Sequence, residues 1–238
     1  MDHFTYRNGK LHAEDLPVDE LADRFGSPLY IYSAQTFRDH FTAIRDAFAA
    51  VDPLICYSIK SCGNIHLVRM LAEMGSGMDV VSGGELYRAM QGGADASKIV
   101  YAGVGKTDDE ITQALEAGIG WFNVESEAEF ENISRLAKQL GVTTRAALRV
   151  NPDVADARTH DKTTTGSKET KFGVDLARAR RFFDAYGNDP HCELSAVHLH
   201  IGSPIYSPEP YVAAIKRGLD LIDDVRAAGY TVDTLDIG

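Results

Sequence analysis

The chain has 238 residues, 44% of them hydrophobic, which is enough for one sizeable core. Twenty-four Lys and Arg against 35 Asp and Glu leave a formal net charge of −11, a surface that repels nucleic acid and anionic lipid and suits small-molecule work. Cys56, Cys62 and Cys192 show no framework spacing, MDHFTYRNGK lacks an apolar signal core, and no run nears ~18 apolar residues, so a reducing, cytoplasmic setting away from membranes is expected.

Residues 1 to about 30 differ in texture from the rest. Phe4, Tyr6 and Leu11 lack helical spacing, PVDELADRFG reads as a short helix ended by Gly26, and SPLYIYS reads as a β-type run after Pro28. An alternation of apolar and amphipathic runs then sets in. Strands are predicted at Leu54–Ile59, Gly77–Val81, Lys98–Tyr101, Gly120–Val124, Ala146–Val150, Leu194–Ile201 and Thr234–Ile237. Helices are predicted between them at Ile65–Met74, Gly84–Gly92, Thr107–Ala117, Ser126–Gly141, Asp175–Tyr186 and Pro208–Ala228. Phe130, Ile133, Leu136, Ala137 and Leu140 form one helical stripe, with Ser126 and Glu129 as a capping box and Gly141 as the stop. Repeated strand–helix units imply a parallel sheet. With no glycine-rich dinucleotide fingerprint after an early strand, a (β/α) barrel is preferred over a doubly wound sheet. Asn151–Thr170 is a long, polar, Thr-rich connection that reads as a lid or interface loop over the C-terminal face.

Lys60 ends LICYSIK, at the strand end where barrel sites are built, and a buried lysine there is a usable nucleophile for a Schiff base. A lysine snorkelling at a strand end is the plain alternative. In AVHLHIGS, Val197, Leu199 and Ile201 share one face while His198 and His200 share the other. The imidazoles suit stacking on an aromatic cofactor, metal ligation or core hydrogen bonding, and Gly202 and Ser203 could hold an anion. Asp79 could orient a cation or form a turn, Glu85 fits a first helical turn, and an inward Arg149 needs an anion or a carboxylate partner. Asp108, Asp109 and Glu110 read as a solvated helix start, Lys168 and Lys171 as loop lysines or anion flanks, and Cys62 as packing.

From about Pro28 to Gly238 the ordered segments YSIKSCGN, GMDVVSGGELYRA, KIVYAGVGKTDDEI, FNVESEAE, LRVNPD, ETKFG, HLHIGS and LDIG resemble one family. It is the diaminopimelate decarboxylase branch of the alanine-racemase-like, fold-type III decarboxylases that depend on pyridoxal 5'-phosphate. The resemblance implies a (β/α)8 TIM-type barrel over 31–238, about seven strands of it present, and an N-terminal segment over 1–30 that belongs to a β-domain. Lys60 would bind the cofactor covalently and help protonate the product carbanion, His200 would stack on the pyridine ring, Ser203 would hold the phosphate, and Gly238 would open a glycine-rich phosphate loop. Asp79 and Arg149 would lie near the cofactor. The reaction would be decarboxylation of meso-diaminopimelate to lysine, in a homodimer. Ser61-Cys62 departs from the family's commoner small residue plus asparagine.

The resemblance also implies that further phosphate-loop glycines, a last strand bearing a glutamate for the pyridine nitrogen, and a β-domain with a cysteine lie beyond Gly238. The 238-residue polypeptide alone is then expected to be inactive and prone to association. Two other readings stay open: a decarboxylase for ornithine, arginine or a carrier-bound amino acid, and a metal-dependent barrel hydrolase using His198 and His200.

Overall fold

The computed structural model describes residues 3–154 and 172–238. Most of the polar connection expected to form a lid, with Lys168 and Lys171, lies outside the described residues.

Seven strands form one parallel sheet: β4 (Cys56–Ser58), β5 (Gly77–Val80), β6 (Ile99–Tyr101), β7 (Trp121–Val124), β8 (Thr144–Asn151), β10 (Cys192–Leu199) and β11 (Thr234–Asp236). The two-residue β9 (Val174–Asp175) adds to the end of β8. Each strand lies beside its predecessor, so the sheet winds in one direction, as a barrel does, without the reversal of a doubly wound sheet. β7 and β11 stand three positions apart, about 14 Å in a flat sheet at ~4.8 Å per strand. Yet Asn123 Nδ2 donates to Asp236 Oδ2 at 3.0 Å. The sheet is therefore curled into a half-barrel.

Helices return the chain between strands: α3 (Ile65–Glu73), α4 (Gly83–Gln91), α5 (Asp108–Ala117), α6 (Glu127–Leu140), α7 (Leu176–Tyr186) and α8 (Glu209–Ala227). The predicted α6 stripe is buried at Phe130, Ile133, Leu136 and Ala137. Phe130 meets Phe182 of α7 edge-on at 5.6 Å between ring centroids. Ser82, Thr107 and Ser126 cap α4, α5 and α6, each accepting from the N–H of the glutamate three residues on. The reciprocal box closes at Thr107 with Glu110. At Ser126 the predicted box is half made, because the Glu129 carboxylate reaches one residue further back, to the Glu125 N–H at 2.8 Å. Glu110 is not simply solvated: it also accepts from the Gly83 N–H at 2.8 Å, tying α5 to the start of α4.

The first residues form a separate antiparallel sheet of β1 (Phe4–Arg7), β2 (Lys10–Ala13) and β3 (Leu16–Pro17), followed by α1 (Val18–Phe25). Asn8-Gly9 closes the first hairpin. Glu14 joins this sheet to α2 (Ala34–Ala47), accepting from Ser33 Oγ and the Gln35 N–H, both at 2.8 Å. Those two bonds hold its carboxyl below the usual carboxylate range. SPLYIYS is not a strand: Pro28 lacks an N–H, and the segment has no ladder partner before Ser33 caps α2.

Lys106 is the most buried charge on the outer side of the sheet, its side chain 1% exposed. Its ammonium donates to Gly103 O at 2.7 Å, Asn123 O at 2.9 Å and the Glu129 carboxylate, so all three donors are used. Removing it leaves a carboxylate and two carbonyls unmatched. Lys106→Met is expected to lower the unfolding free energy by about 3–5 kcal/mol. Urea denaturation checks this, and wild-type stability in the variant would contradict it.

Candidate functional site

The C-terminal ends of the curled strands carry the groups that could do chemistry. After β4 the chain makes a short 3-10 turn, Ile59–Ser61. Ile59 enters the core and Lys60 turns to the barrel mouth, its side chain 52% exposed rather than buried as expected. Lys60 Nζ stands 3.6 Å from Asp79 Oδ2 on β5. The same oxygen accepts from Ser58 Oγ at 2.7 Å, which pins the carboxylate beneath the amine. Lys60 and Asp79 therefore meet, as neighbouring strand ends should.

On β8, Arg149 is buried and faces inward, as expected. Its carboxylate partner is Glu125, just past β7, with Arg149 NH1 donating to Glu125 Oε1 at 2.9 Å. Arg149 Nε is buried with no hydrogen-bond partner among the described residues.

On β10, Leu199 lies against Gly218 of α8, so it faces outward, and the strand's alternation turns His198 and His200 inward. His198 is paired in register with Arg149 on one side and Asp236 on the other. Its Nε2 is 3.9 Å from Asp236 Oδ2, its Nδ1 has no hydrogen-bond partner among the described residues, and burial pushes its pKa down. The Gly202 N–H donates to His200 Nδ1 at 3.3 Å, which leaves the ring proton on Nε2. Burial, reinforced by the Arg149, His198 and Lys60 charges and opposed by Asp236, pushes His200 down to about 4. His200 is thus a neutral, flat ring in the field of the other candidates.

Gly238 follows β11, and its N–H donates to Asp236 Oδ1 at 2.9 Å. A Cβ there would lie 2.6 Å from Leu199 O and 3.3 Å from His200 Cα, and its φ is +87°. Only glycine lets the backbone pass this close to His200. Ser203 is exposed on the turn after Gly202.

The metal reading fares less well. The His198 and His200 rings lie 6.5 Å apart, edge to face. Among the described residues no group of three or more His, Cys, Asp and Glu side chains could hold a metal ion. Pyridoxal phosphate fits better: an amine beside a fixed carboxylate, a neutral imidazole, a buried cation with an unspent N–H, and a glycine at the closest backbone approach suit a planar, anionic aldehyde.

Sequence reasoning did not single out Glu125, Asn123, Asp236 or Lys106. Strand alternation signals Asn123 and Asp236, and an inward Arg149 signals a nearby carboxylate such as Glu125. Nothing in the sequence marks Lys106 as buried. Glu85, expected in a first helical turn, sits there and accepts from the Val81 N–H at 2.9 Å. Cys56, Cys62 and Cys192 are all unpaired thiols.

Residues 34–238 match the family described as pyridoxal-dependent decarboxylase, pyridoxal binding domain. The chain is 43% identical, over all 238 residues, to a diaminopimelate decarboxylase of Haemophilus influenzae, of which it covers 57%. It resembles the crystal structure of diaminopimelate decarboxylase from M. jannaschii in co-complex with L-lysine, with a TM-score of 0.90 and 32% identity over 98% of this chain and 56% of that one. The Helicobacter pylori diaminopimelate decarboxylase complexed with L-lysine gives a TM-score of 0.88 at 36% identity, over 93% of this chain and 56% of that one. The chain spans a little over half the length of the relatives it matches.

The His200 environment has a measurable consequence. An unfolded imidazole takes its proton near pH 6.5 and folded His200 near pH 4, so the unfolded state binds more protons between those values. Stability is therefore expected to fall as pH drops through that window, and His200→Gln to reduce the fall. Urea midpoints at about pH 5 and about pH 7 check this. An unchanged pH dependence in the variant would contradict it.

Proposed function

The chain belongs to the pyridoxal-dependent decarboxylase family, and from that premise we propose that it forms the cofactor-binding part of an enzyme converting meso-diaminopimelate to L-lysine and carbon dioxide. The observation that carries this reading is the Lys60–Asp79 pair at adjacent strand ends, facing the same barrel mouth as Arg149, His200 and Gly238. The diaminopimelate choice rests on the relatives named above, two of them with L-lysine bound.

Bound pyridoxal phosphate supplies an electron sink for the carbanion left when a carboxylate departs. This chain's residues do the holding and the proton handling. Lys60 Nζ would hold the cofactor covalently and would deliver the one proton that takes the place of the departed carboxylate, with Asp79, fixed by Ser58, orienting its ammonium form. His200 offers the ring face, and its neutrality keeps a second cation away from the pyridine. Arg149 offers its buried Nε–H to an acceptor on the cofactor or substrate. Ser203 and the Gly238 backbone hold the phosphate. The curled strands behind them exclude water from one side of the reacting centre. Residues 1–30 belong to a second, β-rich domain, and the enzyme works as a cytoplasmic homodimer. No helix among the described residues is long and apolar enough to cross a membrane.

The test uses the protein made from its complete coding sequence. After loading with pyridoxal phosphate and borohydride reduction, peptide mapping should place the added mass on Lys60. Carbon dioxide and lysine should form from meso-diaminopimelate in preference to ornithine or arginine, and Lys60→Ala should lose both the label and the turnover. Labelling elsewhere, or stoichiometric zinc with no cofactor uptake, would contradict the proposal.

A further inference from the structure

We propose that Glu125 is a positioning residue, fixing the face that Arg149 presents to the cofactor and fastening that face to the Phe172–Gly173 turn. The inference rests on the preceding reading of Arg149 as a cofactor-facing group.

The two oxygens of Glu125 are divided between two donors. Oε1 accepts from Arg149 NH1 at 2.9 Å and Oε2 from the Gly173 N–H at 3.0 Å. Both charged side chains are nearly inaccessible, at 8% for Arg149 and 4% for Glu125. The Phe172 ring covers the guanidinium, 4.6 Å from its centre, and the Phe172 carbonyl accepts from Asn151 Nδ2 at 2.6 Å. Gly173 has φ +66°, and a Cβ there would meet Arg149 O at 2.9 Å and Asn151 Oδ1 at 3.0 Å. The turn therefore presses on Arg149 as closely as a backbone can.

A guanidinium is a rigid planar fork, so fixing one N–H and the ring plane fixes the direction of the rest. Held in this way, Arg149 keeps its Nε–H buried and without an acceptor among the described residues. A purely structural ion pair has no need to leave a buried donor unmatched. Arg149 also acts on His200, its charge adding to the burial that lowers that imidazole's pKa. Glu125 is itself held from behind. Its N–H donates to Glu129 Oε2 at 2.8 Å, and the other Glu129 oxygen takes the Lys106 ammonium. The orientation of Arg149 is thus referred to β7 and α6.

Two donors converge on this carboxylate, which Gln cannot match. A glutamine offers one acceptor oxygen, and its NH2 must face either Arg149 or the Gly173 N–H. In the protein from the complete coding sequence, Glu125→Gln is expected to weaken pyridoxal phosphate binding about tenfold or more, measured by absorbance titration, and to speed exchange of the Gly173 amide. Arg149→Met should weaken binding comparably, and the double variant should bind no more than about twofold more weakly than Arg149→Met alone. Wild-type affinity in Glu125→Gln, or losses that add in full, would overturn the proposal. Should Glu125→Gln fail to fold, Phe172→Leu keeps both charges and should weaken binding several-fold in the wild-type background and not in Arg149→Met; wild-type affinity there would overturn the proposal equally. A wild-type protein that takes up no pyridoxal phosphate would sink the Arg149 reading and this inference with it. Normal uptake that Glu125→Gln leaves unchanged would sink this inference alone.

Discussion

The curl of the parallel sheet is the constraint on which the rest of the molecule depends. A flat sheet would spread Lys60 after β4 and Gly238 after β11 across six strand spacings, nearly 30 Å at ~4.8 Å each. Curled, the same strands turn their C-terminal ends toward a common centre. The Asn123–Asp236 hydrogen bond crosses the inside of that curve at 3.0 Å and joins its middle to its last strand. Asp236 then holds the Gly238 N–H and faces His198, so one side chain links the curvature of the sheet to the turn nearest His200.

Buried polar groups lie on both sides of the sheet. Behind it, Lys106 has every donor matched, which is what a buried cation requires. Inside it, Arg149 Nε, His198 Nδ1 and Asn123 Oδ1 are among the buried atoms with no hydrogen-bond partner among the described residues, as is Tyr101 Oη behind it. Buried polar atoms left unmatched cost stability, and those of Arg149 and His198 lie on residues paired in register across β8 and β10. The Lys106–Glu129–Glu125–Arg149 series joins the two sides.

Much of this was legible in the sequence. All seven strands and the six helices between them fall where periodicity placed them, because the helices bury one stripe each and five of the six start at a side-chain cap. Val197, Leu199 and Ile201 alternating with His198 and His200 gave the inward face of β10 directly. Other features escaped. SPLYIYS has strand-forming residues but no neighbour to pair with, which no local pattern can reveal. The hairpin at Asn8-Gly9 carried a signal in its turn residues that the scattered apolar residues obscured. Lys106 is indistinguishable from any loop lysine in the sequence, because two of its three acceptors, Asn123 O and Glu129, come from distant segments. Glu125 read as one more acidic residue before a helix; only the fold brings Arg149 and Gly173 to its two oxygens.

The central claim is that the strand ends form one side of a single cofactor site. A crystal structure of the protein loaded with pyridoxal phosphate tests it most directly. The account requires density continuous with Lys60 Nζ, the pyridine ring against His200, and the phosphate between Ser203 and the Gly238 backbone. A cofactor joined to another lysine, or a ring lying away from His200, would contradict it.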